Sequence, residues 1–162
     1  MPLVATALID ELLRETLQAF LCECSSSAKL IANGNAALAT FSSRAEACRA
    51  LALIDDFEYS EINLLRKIRN EFAHARHGIS FTQSKVRGLC SSLESPIPDE
   101  PGWPVNDARF RFTNASLHIV LRLYPRKDWA LLAKRKVKDW GADNYRFPPS
   151  AGDATDVTDA AD

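Results

Sequence analysis

The side chains with the most chemical capacity in this sequence recur along one stretch. They are Arg66, Asn70, His74 and His77, at spacings of four, four and three, with Asn63 adjacent. On a helix these fall on one face, and Arg69 falls near its boundary with the opposite face. A neutral imidazole takes a proton near neutral pH, a guanidinium steadies developing anionic charge, and an amide can orient either. The row has no nucleophile and no partner acid, so the same side chains serve equally as a surface or dimer face, bonded to one another and to water.

Other chemistry finds little support. His74 and His77 are spaced to chelate, but no carboxylate or thiol stands at an obvious third position, so no metal is expected. The six glycines are scattered, without a phosphate-cradling loop or a serine-hydrolase elbow, and no cofactor is expected. The cysteines Cys22, Cys24, Cys48 and Cys90 form no Cys-x-x-Cys pair. On a continuous helix Cys22 and Cys24 would sit about 200° apart, too far round to share a metal easily. They read as reduced cytosolic thiols, mostly packed in the core.

The elements that must position the polar row are all helical. Leu3 to Cys24 carries an apolar stripe at Ile9, Leu13, Leu17, Phe20 and Cys24. Ser25-Ser26-Ser27 offers N-caps for a short helix through Ile31, and Asn33-Gly34-Asn35 stops it. A third helix opens around Thr40 to Glu46, where Ser43 and Glu46 have capping-box spacing, and runs to about Ile54. The fourth, about Phe57 to Arg76, has acids at its start and bases at its end, as the helix dipole favours, and Ile62, Leu65, Ile68, Phe72 and Ala75 form its core face. A fifth spans about Ser84 to Leu93. Four of the eight prolines lie between Glu94 and Asn106, which predicts an extended loop. From Asp107 to about Trp140 the pattern is helical again, with Phe110, Leu117, Val120, Leu121 and Tyr124 in register and Pro125 set to kink or split it. No stretch alternates with period two. The expectation is an all-α, single-domain bundle of about five to seven helices over residues 1–140, with the proline-rich loop 94–106 inside it.

Composition agrees with one ordinary globular domain: 162 residues, 46% hydrophobic, with 20 basic and 21 acidic side chains. The net charge of -1 conceals an uneven distribution. Nine basic residues and one acid lie between Arg109 and Lys138, whereas residues 141–162 carry five aspartates against Arg146. The basic run reads as a solvated face or a surface for an anionic partner, and the acidic tail as disordered. No secretory signal or membrane span is recognised, so a cytoplasmic protein is expected. A helix-turn-helix reader needs a short turn before its second helix, and several residues separate Asn33-Gly34-Asn35 from Ser42-Ser43-Arg44. Direct DNA binding is not expected.

Two motif runs resemble the mannitol operon repressor family. The first is Asn33-Gly34-Asn35-Ala36-Ala37-Leu38-Ala39-Thr40-Phe41-Ser42-Ser43-Arg44, and the second is Ile62 to His74, including Arg66, Arg69, Asn70 and Phe72. The leading stretch Leu12 to Leu21 is also similar, so the resemblance covers roughly residues 5–93. It implies a compact helical bacterial regulator of sugar-alcohol uptake without its own DNA-binding domain, acting through a protein partner such as a DNA-binding regulator, with a homodimer as a further option. The proline loop and the acidic tail depart from that family's core.

Arg69-Asn70-Glu71-Phe72-Ala73-His74 also resembles the Arg-x4–6-His motif of HEPN-domain proteins, helical bundles of which many cleave RNA without metal as dimers. That resemblance implies a catalytic set in which Arg69 stabilises phosphate charge, His74 handles protons or orients the 2′-hydroxyl, and Asn70 positions either. Residues five apart lie about 140° apart on a regular helix, so the pair converges only if the helix frays or a second chain contributes. In a purely structural role Arg69 would pair with Glu61 or an N-terminal acid. The leading expectation is a non-catalytic regulator, and the alternative is a metal-independent ribonuclease.

Overall fold

A computed structural model describes residues 2–74, 78–97 and 102–139. Among them are seven α-helices and no strand: α1 (Pro2–Phe20), α2 (Ser25–Ile31), α3 (Phe41–Ala50), α4 (Asp56–His74), α5 (Ser84–Ser91), α6 (Ala108–Leu123) and α7 (Arg126–Leu132). The chain is therefore an all-α bundle. Helix α1 packs on α2, α3, α4, α6 and α7, and α4 packs on α1, α3, α5 and α6. The core follows from their apolar faces: Ile9, Leu13 and Leu17 of α1 meet Ile62, Leu65 and Ile68 of α4, all fully buried. Each such side chain contributes about 1.5–3 kcal/mol of burial free energy. Phe72 extends the core through Phe81, 4.9 Å away, to Phe112, 5.6 Å further on.

Helix α1 stops at Phe20, four residues before Cys24. The Phe20 carbonyl would accept from residue 24 in a continuing helix, but the Arg135 N–H takes it at 2.9 Å. Cys24 is then extended (φ -151°, ψ 162°) and is itself the N-cap residue of α2, where a serine was expected. Gly34 makes the following turn at φ +87°, a conformation in which a Cβ is strained.

Helix α3 is capped three residues earlier than expected. Thr40 Oγ1 accepts from the Ser43 N–H at 3.1 Å, and Ser43 Oγ accepts from the Thr40 N–H at 3.2 Å, while Glu46 accepts from the Tyr59 hydroxyl instead. It ends at Ala50 rather than near Ile54. Leu53 donates to the Cys48 carbonyl at 2.8 Å, and Ala52 turns at φ +55°, which brings Leu53 and Ile54 into the core. Asp55 and Glu58 bond reciprocally, N–H to carboxylate at 2.7 and 3.0 Å, and start α4.

Tyr124 and Pro125 divide the last helical stretch into α6 and α7, and residues 134–139 are not helical, short of the expected Trp140. Pro125 lacks the N–H that would continue the ladder. Of the expected proline loop, residues 94–97 and 102–106 are non-helical. Ala75, Arg76 and His77, the remaining loop residues, and the acidic tail lie outside the described residues.

Candidate functional site

The polar row of α4 forms two separate groups. Arg66 donates to Asn63 Oδ1 at 3.3 and 3.4 Å, and the Asn63 amide donates to the Tyr59 carbonyl at 3.1 Å. One turn on, Arg69 Nη1 donates to Asn70 Oδ1 at 3.1 Å. Arg69 does not pair with Glu61, because Glu61 is buried and already accepts from the N–H groups of Glu94 and Ser95, at 2.8 and 3.1 Å, and from the Ser95 hydroxyl. Asn70 and His74 share an open cleft of about 310 Å³ with Glu71, Ile79 and Gln83, and Arg69 is not among its lining residues. Glu71 also pairs with Lys85 at 2.9 Å. Among the described residues, the cleft that holds His74 therefore contains a carboxylate and no arginine of the kind a phosphate would need. The described residues do not include His77.

The first motif run is largely architectural. Arg44 is buried, donates from Nε to the Leu38 carbonyl at 2.9 Å, and pairs through Nη1 with Asp10 at 2.8 Å. It thereby ties α3 and the preceding loop to α1. Thr40 caps α3 and Gly34 makes the turn, while Asn35 is exposed and Phe41 and Ser42 are half-buried. Asn33 and Arg44 line an open cleft of about 570 Å³ with Asp10, Glu11, Arg14 and Gln18. The Arg14 hydrogen bond holds the Glu11 carboxyl below its ordinary range. The cleft alternates charge without a nucleophile.

Most of the basic run is engaged inside the molecule. Glu58, fully buried, accepts from Arg122 Nε at 2.8 Å and from Arg126 Nη2 at 2.6 Å, and Arg122 also reaches Asp55 at 2.7 Å. Arg111 caps the end of α5 by donating to the carbonyls of Cys90, Ser91 and Leu93. Lys127 pairs with Glu15 and Lys134 with Glu23, while Arg109 lies over the Phe81 ring and Arg135 over Phe20. Charges held this way are not available to a phosphate backbone without breaking the fold's own contacts.

What the motifs did not reveal is apolar and exposed. On α6 the buried residues are Ala108, Phe112, Ala115, Ser116, Ile119 and Leu123. Leu117, Leu121 and Tyr124, part of the expected helical signature, face outward at 57%, 64% and 70% exposure. Their spacing of four and three sets them in one row. On α7 Trp129 and Leu132 are also exposed, as are Val4 and Leu8 on α1. The other residues missed are Glu58 and Glu61. They fall in register with Ile62, Leu65 and Ile68, and an acid in the apolar register of a helix is a legible sign of a buried, partnered charge.

The cysteines divide in two. Cys48 and Cys90 are buried, and burial pushes their thiols up to about 12 and about 11. Cys22 is half-buried and Cys24 exposed, neither in the core. Among the described residues no group of three or more His, Cys, Asp or Glu side chains is placed to hold a metal, and no helix is long and apolar enough to cross a membrane. Compared with models of protein families, with curated proteins and with solved structures, the chain has no match.

Proposed function

We propose that this chain is a non-catalytic cytoplasmic regulator of the mannitol operon repressor type, acting through protein contacts rather than by reading DNA. The observation that carries this reading is the exposed row Leu117, Leu121 and Tyr124, accompanied by Trp129 and Leu132. Exposed apolar and aromatic side chains grouped on helix faces mark surfaces that another protein covers. The internal engagement of Arg111, Arg122 and Arg126 supports the same conclusion, because it removes cations from a DNA-facing role.

The test is a reporter driven by a mannitol operon promoter, with the chain supplied as wild type or as the Leu117→Asp, Leu121→Asp double variant. Repression by the wild type and its loss in a folded double variant supports the reading. Unchanged repression in the variant removes the surface from the mechanism, and sequence-specific operator binding by the purified chain alone overturns the mode of action.

The ribonuclease alternative draws on one observation, the shared cleft of Asn70 and His74. It requires an arginine at that cleft, and none of the described residues that line it is one.

A further inference from the structure

The break between α1 and α2 brings two thiols together. Cys22 Sγ lies 3.6 Å from Cys24 Sγ, and the Ser27 hydroxyl is 3.3 Å from Cys24 Sγ and 3.7 Å from Cys22 Sγ. Both sulfurs line an open cleft of about 380 Å³ with Leu21, Glu23, Ser27, Ile31 and Lys134. We infer that Cys22 and Cys24 form a reversible dithiol–disulfide site that exchanges with low-molecular-weight disulfides.

The two cysteines have different parts. Cys24 is the exposed one and attacks; Cys22, half-buried beside it, resolves. The Ser27 hydroxyl foremost, then the backbone amide of Ser27 and the Cys22 thiol, hold the Cys24 thiol down to about 7 from its ordinary 9.0. A thiol that ionises near ambient pH combines a useful thiolate fraction with retained nucleophilicity. The Cys24 thiolate attacks one sulfur of a small disulfide RSSR, forming a Cys24–SR mixed disulfide and expelling RS⁻, which takes up a proton. Cys22 then loses its proton to solvent and attacks the Cys24 sulfur, closing the Cys22–Cys24 bond and expelling the second RS⁻. Two protein thiols are oxidised, one RSSR is reduced to two RSH, and the reverse sequence restores the dithiol.

Geometry allows the closure. The sulfurs must approach from 3.6 Å to about 2.05 Å, and the link between the helices is short, with Leu21 bonded back to Leu17 of α1 and Cys24 accepting from Ala28 of α2. The charged groups facing the pair are Glu23 and Lys134, which pair with each other at 2.5 Å. Both line the cleft, so the site carries one balanced ion pair and no net charge that would select among small disulfides. Cys48 and Cys90 are buried and take no part.

The experiment equilibrates the full chain in buffers of stepped glutathione to glutathione-disulfide ratio, blocks free thiols by alkylation in denaturant, and maps the peptides by mass spectrometry. The expected result is loss of two hydrogens within the peptide holding Cys22 and Cys24, reversed at high glutathione, with Cys48 and Cys90 alkylated throughout. Cys22→Ser should accumulate glutathione on Cys24. Cys22 and Cys24 both remaining alkylatable at every ratio, or linking only between chains, overturns the site.

Discussion

Arg126 Nη2 lies 2.6 Å from Glu58 Oε1, joining α7 to the start of α4 across 68 residues of sequence. Glu58 has no exposure, and its second guanidinium partner, Arg122, comes from the end of α6. The carboxylate thus holds three helices at one corner of the bundle.

Removing one arginine leaves Glu58 with the other, whereas removing both leaves a buried carboxylate without a cation. The double variant Arg122→Ala, Arg126→Ala should lose about 3–5 kcal/mol, more than the sum of the single losses. Urea unfolding of the four-member cycle measures this, and additive single effects would refute the shared role.

The two faces of α6 should respond oppositely. Ile119→Ala opens the core and should cost about 2–5 kcal/mol. Leu121→Ala on the exposed row should fall within about 0.5 kcal/mol of wild type. Thermal unfolding followed by circular dichroism separates them.

Glu61 secures the chain after α5 by accepting from Glu94 and Ser95. Glu61→Ala strands those donors, at about 1–3 kcal/mol for each one left buried. Hydrogen exchange should accelerate at the amides of Glu94 and Ser95 before it does in α1. Unchanged exchange there would place the anchor elsewhere.

The Cys24 thiol ionises more readily in the folded chain than in the unfolded one, so its ionisation favours the folded state. The contribution is absent below about 7, grows as pH rises, and is complete above the unfolded value near 9.0. Relative to Cys24→Ser, the reduced wild type should therefore gain stability between those values. Iodoacetamide labelling of Cys24 should have its midpoint near 7, and a midpoint near 9.0 would contradict the arrangement around Ser27.

The purified chain should leave single-stranded RNA intact, because Arg69 is bound to Asn70 and does not line the cleft of His74. Cleavage that disappears in both Arg69→Ala and His74→Ala, with folding retained, would instead support the ribonuclease reading.

Local information reaches a definite depth here. Period-3.6 patterning locates the helical stretches and selects Ile9, Leu13, Leu17, Ile62, Leu65 and Ile68 for the core, since each helix presents one apolar face whatever its neighbours are. Pro125 divides the last helical stretch because its missing N–H acts locally. Of the candidate site, the spacing of Arg69 and His74 already argued against their meeting in one chain.

Ends, partners and the exposed face were decided elsewhere. Whether α1 continues to Cys24 depends on which N–H reaches the Phe20 carbonyl, and that donor is Arg135, far along the chain. Leu117, Leu121 and Tyr124 have the spacing of a core row, but Ile119 and Leu123 face the bundle, a choice made by packing rather than by residue type. Glu58 and Glu61 are carboxylates in an apolar register, and only the approach of Arg122, Arg126 and Ser95 makes their burial tolerable. Helices and their apolar stripes follow from short-range physics written along the sequence. Charge pairing, the meeting of Cys22 with Cys24, and the choice of buried face depend on tertiary contacts, which only the folded chain brings within reach.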